Sequence, residues 1–180
     1  MTRALAAAVL ALLASAAPAG ASQSTTQQFF KARLIADRHT SREIRDLLGT
    51  GRGFVDRAVK FRDLTGDGKA DAVVRVQSGG VLGAVALYVF STDAGRGNTR
   101  LRVVFRSQKL YRAETRIRQG VLRYRSARAL PGDEPCCPSR ETESRLRWRE
   151  LRRRFEVVER RDVAPADLWG DQLAPPAEAR

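Results

Sequence analysis

The sequence predicts an α+β domain in which one or two short N-terminal helices pack on a mainly antiparallel β-sheet of about six to eight strands. Helical patterns are confined to the residues before Phe54. From Phe54 onward the chain consists of short runs rich in Val, Leu, Tyr and Phe, separated by Gly, Asp, Asn or Pro turns. The runs follow one another too closely for crossover helices, so neighbouring strands should pair antiparallel.

The helical region contains two segments. Residues 24–38 place apolar side chains on one side of a weakly amphipathic helix. In the second segment Thr40 stands three residues before Glu43, which is the spacing of a capping box. Gly49 and Gly51 follow the last apolar residue and are stop signals.

Eight strands are predicted. The run 84–90 is apolar throughout, which suits a central strand, whereas elsewhere arginines alternate with apolar residues. A period of two means that one face packs on a core and the other is wet, and helices on the buried face would complete a two-layer domain. The predicted strands are residues 59–64, 70–77, 84–92, 100–108, 110–118, 120–128, 141–150 and 153–159.

Residues 1–21 have the features of a signal peptide: a basic residue, an apolar stretch and a small-x-small cleavage site. The stretch is about ten residues long, against roughly twenty needed to span a bilayer, and no cysteine at the cleavage point could carry a lipid. We therefore expect an extracytoplasmic protein without a membrane span or lipid anchor, secreted after removal of residues 1–21. Residues 22–162 should form one domain, followed by a Pro/Ala-rich C-terminal tail at 163–180.

Positive charge dominates the composition, with 33 Lys and Arg against 20 Asp and Glu and a net charge of +13. This surplus implies attraction to polyanions. Charge for solubility alone is the favoured interpretation, and loose affinity for anionic envelope polymers as partners is the alternative. The predicted polyanion-facing residues on the wet face are Arg123, Arg125, Arg145, Arg147 and Arg149. Specific nucleic-acid binding is not expected, because Tyr124, Trp148 and Phe155 have the opposite parity and should lie in the core.

The stretch DLTGDGKAD, residues 63–71, has the spacing of oxygen ligands in a calcium loop. The candidate ligands are Asp63, Thr65, Asp67 and Asp71, with the backbone carbonyl of Lys69. The position of the bidentate glutamate of an EF-hand is occupied by Val74, so the loop is not an EF-hand. It resembles instead the D-x-[DNST]-x-D-G-x-x-D calcium motif of integrin-type (FG-GAP) repeats. The alternative is an Asp/Gly-rich turn in which the carboxylates accept backbone N–H groups and no metal binds.

The second distinctive loop contains the stretch GDEPCCPSR, in which the only two cysteines are adjacent. Together with the strand that follows, this stretch resembles the end of the LppP/LprE family of actinobacterial envelope lipoproteins. The matching residues are Gly132, Asp133, Cys136, Cys137, Pro138, Ser139, Arg147 and Trp148. The resemblance implies an extracytoplasmic protein of unassigned biochemical role, and the chain lacks the lipid-bearing cysteine of that family.

Adjacent cysteines leave three alternatives open. A disulfide between Cys136 and Cys137 forces the two Cα atoms closer than an ordinary disulfide does, so it would be strained and easily reduced. Pairing with another chain would link two copies, so the protein is expected to be a monomer or a disulfide-linked dimer. Two free thiols are the third alternative, and a zinc site lacks further ligands in one chain.

No arrangement for catalysis is evident, so we expect a protein that is not an enzyme. His39, the only histidine, is interpreted as a loop residue, and Glu141 and Glu143 as ordinary surface charges. The favoured function is a non-catalytic binding or structural module of the cell envelope. The alternatives are a calcium-dependent adhesion or carbohydrate-binding module, and a thiol–disulfide redox protein using Cys136 and Cys137.

Overall fold

The computed structural model describes residues 24–93, 100–134 and 138–164, and over these ranges it confirms the α+β class. Two helices precede nine strands, which form two antiparallel sheets. The elements are α1 (Thr25–Ala36), α2 (Arg42–Gly49), β1 (Phe54–Val55), β2 (Lys60–Arg62), β3 (Asp71–Gln77), β4 (Ala84–Asp93), β5 (Arg100–Gln108), β6 (Glu114–Arg118), β7 (Val121–Arg128), β8 (Arg140–Arg149) and β9 (Arg154–Val163). In the described ranges no helix combines the length and the apolar character that a bilayer span requires.

The first helix, α1, begins with a reciprocal cap. The hydroxyl oxygen of Ser24 accepts the N–H of Gln27 at 3.3 Å, and the Gln27 side chain accepts the N–H of Ser24 at 2.9 Å. The buried Gln27 amide also donates to the carbonyl of Val55 at 2.7 Å. One side chain therefore both starts the helix and ties it to β1.

The cap of α2 differs by one residue from the predicted one. Ser41, not Thr40, accepts the N–H of Ile44, at 3.4 Å. Thr40 instead stands one residue before the cap, and its side chain is buried. The predicted stop is confirmed, since α2 ends at Gly49 and Gly51 adopts a positive φ of 72°.

The first sheet has the order β1-β3-β4-β5, and β2 also pairs with β3. The central pair is in register with Val74 opposite Tyr88. The second sheet is a meander with the order β6-β7-β8-β9. All eight predicted strands are present with shifted ends, and the two-residue β1 is additional.

The layers are three rather than the predicted two, because the first sheet is apolar on both faces. Its helix side packs Val74, Val76 and Phe90 against α1 and α2. Its other side packs Val73 and Val89 against the second sheet. The central position predicted for the apolar run 84–90 is thereby confirmed, since a strand covered on both faces has no wet side.

Side chains of the second sheet complete the inner core, as the alternation predicted. The core-facing set is Leu122, Tyr124, Leu146, Trp148, Phe155 and Val157. Trp148 and Phe155 lie opposite each other across β8 and β9, with ring centroids 5.2 Å apart. Their parity is opposite to that of the arginines, so the predicted core placement of Tyr124, Trp148 and Phe155 is confirmed.

Candidate functional site

The loop Asp63–Asp71 joins β2 to β3 and is built from carboxylates that accept backbone N–H groups. Asp63 accepts from Gly66 at 2.7 Å and from Gly68 at 2.9 Å, through different carboxylate oxygens. Asp67 accepts the N–H of Lys69 at 2.9 Å. Both glycines adopt positive φ angles of about 80°, which allows the tight turn. These contacts are those of the Asp/Gly-rich turn that was the alternative to a calcium loop.

Asp71 occupies a different environment at the end of the loop. Its side chain is only 1% exposed, and its Oδ2 accepts the N–H groups of Leu64 and Thr65 at 2.7 and 3.0 Å. Its Oδ1 is buried without a hydrogen-bond partner, and the same holds for Oγ1 of Thr65. A buried carboxylate oxygen without a donor is unfavourable, and here it occurs beside a buried hydroxyl that also lacks a partner, on a residue whose N–H binds the same carboxylate.

The predicted ligands are only partly brought together. Across the described residues no three His, Cys, Asp or Glu side chains converge as a group able to hold a metal ion. Asp63 and Asp67 are exposed on the outer turn, whereas Asp71 is buried at the base beside Thr65. Asp71 and Thr65 are therefore the predicted ligands that keep a buried oxygen without a partner, whereas Asp63 and Asp67 accept backbone N–H groups on the outer turn.

A cleft of about 540 Å³ adjoins this loop. The loop contributes Thr65 and Asp67, the first sheet contributes Thr92 and Arg102, and Trp148 comes from the end of β8. The Trp148 indole N–H donates to Glu150 at 2.6 Å, which fixes the ring, and Arg102 donates to the carbonyl of Arg153 at 2.9 Å across the cleft. Oγ1 of Thr92 is buried without a partner. The cleft thus combines an aromatic wall with hydroxyl, carboxylate and guanidinium groups.

The predicted polyanion-facing arginines hold ion pairs within the second sheet. Arg123 and Arg125 bind Glu143 at 3.0 and 2.9 Å, and Arg161 binds the same carboxylate at 2.8 Å. Arg145 pairs with Glu159 and Arg149 with Glu156, whereas Arg147 is exposed. Five of these six arginines thereby contact a glutamate of their own sheet.

Glu141 and Glu143 are buried, so the interpretation of both as ordinary surface charges is wrong. Burial raises the pKa of Glu141 to about 7, with Arg125 opposing the shift and Glu114 adding to it. Burial also disfavours the charged form of Glu143, but hydrogen bonds from Arg125, Arg161 and Arg123 outweigh it and lower its pKa. Long arginine side chains cover this face of the sheet, and no local pattern in the sequence indicates that cover.

The loop around the cysteines is closed at its base by one carboxylate oxygen. Oδ2 of Asp133 accepts the N–H of Leu130 at 2.7 Å and both the N–H and the hydroxyl of Ser139, at 2.9 and 3.0 Å. The two N–H bonds lower the pKa of Asp133. Cys136 and Cys137 lie outside the described residues, as does the disulfide predicted between them. Two residues of the family resemblance, Asp133 and Ser139, therefore have a shared structural role.

His39 lies in the turn between α1 and α2, as predicted, and its Nε2 accepts from Arg38 at 3.3 Å.

Comparison of the chain with protein-family models, with curated proteins and with solved structures gives no match. The resemblance to the LppP/LprE family remains a prediction.

Proposed function

We propose that the protein is an exported, envelope-associated binding module without catalytic chemistry, and that its loop Asp63–Asp71 binds Ca²⁺ as a structural ion. One observation carries the metal proposal: Oδ1 of the 1% exposed Asp71 and Oγ1 of Thr65 are buried without partners. Both are hard oxygen donors of the kind that Ca²⁺ prefers.

The metal-free turn explains only part of the loop. It accounts for Asp63 and Asp67, whose carboxylates are satisfied by backbone N–H groups. It leaves the Asp71 oxygen unsatisfied in a position from which water is excluded. A cation at this position would remove the free-energy cost of the unpaired oxygen. The outer carboxylates, Asp63 and Asp67, lie within the same nine-residue loop and could coordinate the same cation after a change in loop conformation.

The test is calcium-dependent stability. Thermal and chemical unfolding of the wild-type protein would be followed in EDTA, in 10 mM Ca²⁺ and in 10 mM Mg²⁺. For a dissociation constant of about 10⁻⁴ to 10⁻³ M, as in extracellular modules, Ca²⁺ should add about 1–3 kcal/mol to the free energy of unfolding. Mg²⁺ should add less, because it requires a smaller and more regular octahedral shell.

Two variants distinguish a metal loop from a hydrogen-bonded turn. Thr65→Val removes an unsatisfied buried hydroxyl, so it should be neutral or stabilising in EDTA and should reduce the calcium increment. Asp71→Asn keeps an acceptor for Leu64 and Thr65 and should abolish the increment. Asp46→Asn, on the exposed face of α2, is the matched control and should respond as the wild type does. A wild-type unfolding midpoint that is the same in EDTA and in Ca²⁺ would refute the metal proposal.

A second candidate function is a calcium-dependent carbohydrate-binding or adhesion module. It is favoured by the cleft of about 540 Å³ that the loop shares with Trp148. An indole wall flanked by hydroxyl and charged groups is suited to a sugar ring, which has an apolar face and polar edges. In this function Ca²⁺ would fix the loop side of the cleft.

The test of this second function is retention on insoluble cell-wall polymer in Ca²⁺ and in EDTA. The wild-type protein should be retained more strongly in Ca²⁺, and Trp148→Phe should weaken retention while the fold, followed by circular dichroism, is preserved. Retention that is equal in EDTA and in Ca²⁺ would leave the loop without a role in the cleft and would reject this candidate.

A further inference from the structure

A second cleft, of about 770 Å³, lies between the C-terminal end of α1 and the strand β5. Its described lining contains five arginines and one carboxylate, that of Asp37. The arginines are Arg33, Arg38, Arg100, Arg102 and Arg106. No motif in the sequence indicates this cluster, because α1 and β5 are more than sixty residues apart and meet only in the folded chain.

Ion pairs are sparser among the described contacts of this cleft than on the second sheet, leaving aside Arg102, whose guanidinium donates to the carbonyl of Arg153. Asp37 pairs with Arg106 at 3.5 Å. Arg33 lies over the ring of Phe29, 5.4 Å from its centroid, and Arg38 donates to His39. One carboxylate cannot balance the four other guanidinium groups, so the described lining carries a local excess of positive charge that favours an anionic occupant.

The floor of the cleft narrows the class of ligand. It consists of Phe90, Leu101 and Val103; Phe90 is only 3% exposed, so the half-buried Leu101 and Val103 are the apolar side chains that a ligand can contact. Guanidinium groups bind carboxylates and phosphates through paired hydrogen bonds, and apolar side chains beneath them can contact the face of a sugar ring. The exposed aromatic ring in the described lining is the imidazole of His39, which accepts a hydrogen bond from Arg38, so the lining offers no series of aromatic rings for successive nucleic-acid bases.

We propose that this cleft binds a segment of an acidic polysaccharide, with the arginines on its carboxylate or phosphate groups and the sugar rings on the apolar floor. The inference rests on the proposed role of the protein as an envelope binding module. It identifies acidic polysaccharides as the class of partner that this module binds. The site is separate from the calcium loop, since the lining of the two clefts has only Arg102 in common.

The experiment measures binding of the intact protein to fluorescently labelled polygalacturonate by polarisation, in EDTA and again in Ca²⁺. The test variant is Arg38→Gln with Arg100→Gln. Both side chains are exposed, so the fold should tolerate the change. The control variant is Arg52→Gln with Arg57→Gln, which removes the same charge from exposed positions outside the cleft.

The proposal expects the cleft variant to bind at least about tenfold more weakly and the control to stay within about twofold of the wild type. The ratio of the affinities of the wild type and the cleft variant should be the same in EDTA and in Ca²⁺. This result would therefore stand even if the calcium proposal failed. Equal losses in both variants would overturn the proposal in favour of diffuse charge attraction. Tighter binding of single-stranded DNA than of polygalacturonate, lost in the same cleft variant, would overturn it in favour of nucleic acid.

Discussion

Glu141 and Glu143 lie two residues apart on the same face of β8, both buried, and their pKa values move in opposite directions. Glu143 is surrounded by Arg123, Arg125 and Arg161, with contacts of 3.0 Å or shorter. Oε2 of Glu141 is buried without a hydrogen-bond partner. Burial raises both pKa values, and only Glu143 has enough donors to reverse that effect.

Glu143→Gln should destabilise the protein at neutral pH. The pKa of Glu143 in the folded state lies below the ordinary value of 4.5, so its contribution is present above pH 4.5 and is lost as the pH falls through the folded value. We expect a loss of about 2 kcal/mol in the free energy of unfolding at pH 7, because three guanidinium groups lose their shared carboxylate. The difference from the wild type should shrink below pH 4.5 in urea unfolding experiments.

The control for this variant is Glu159→Gln, which breaks a pair between half-exposed partners, Glu159 and Arg145. Exposed pairs contribute little, so a loss of at most about 0.5 kcal/mol is expected. Equal losses of unfolding free energy in the two variants would mean that the burial of Glu143 does not strengthen its ion pairs.

Glu141→Gln should have the opposite effect. The pKa of Glu141 in the folded state is raised to about 7 from an ordinary value of 4.5, so stability is greatest below pH 4.5 and falls as the pH rises through about 7. The neutral glutamine avoids this loss. After allowance for solvent screening, the variant should be more stable than the wild type by about 1–2 kcal/mol at pH 8 and equal to it at pH 4.5. Urea unfolding at the two pH values measures this, and a variant that is less stable at pH 8 would contradict it.

Gly79→Ala should destabilise the turn between β3 and β4, whereas Gly80→Ala should not. Gly79 has a φ of 72°, and a Cβ there would lie 2.5 Å from the carbonyl oxygen of Arg52. A Cβ on Gly80 would meet nothing within 4 Å. The free energy of unfolding should fall by about 2–3 kcal/mol in the first variant and by less than about 0.5 kcal/mol in the second. Similar unfolding midpoints for the two variants would show that the turn rearranges without cost.

Asp133→Ala should loosen the loop that carries the cysteines without unfolding the domain. Its carboxylate holds the N–H groups of Leu130 and Ser139, so both amides should exchange hydrogen at least about tenfold faster in the variant. Ser139→Ala keeps the N–H contact and should have a smaller effect. Hydrogen exchange followed by mass spectrometry measures both, and amides of β8 serve as the internal reference. Unchanged exchange at Leu130 and Ser139 would show that the carboxylate does not close the loop.

The strands and the core parity were predictable because they depend on neighbouring residues. The alternation around Leu122 and Tyr124 correctly placed both side chains in the core. The third layer, which is the second sheet, was not predictable. The sequence of a strand that is apolar on both faces does not indicate whether a helix or a sheet covers each face. Arg161 reaches Glu143 only through the pairing of β8 with β9, and Arg33 faces β5 only after α1 has packed on the first sheet.

The position of β5 has a consequence for colloidal behaviour. Within the described part of the chain β5 is the outermost strand of the first sheet, and an outermost strand can pair with a strand of another molecule. Arg100, Arg102 and Arg106 stand along it. A second copy aligned on this edge would bring like charges together, which opposes edge-to-edge aggregation. The arginines to which we assign a polysaccharide would thus also keep the protein dispersed before it meets that partner, and neutralising them with a bound polymer would remove this protection.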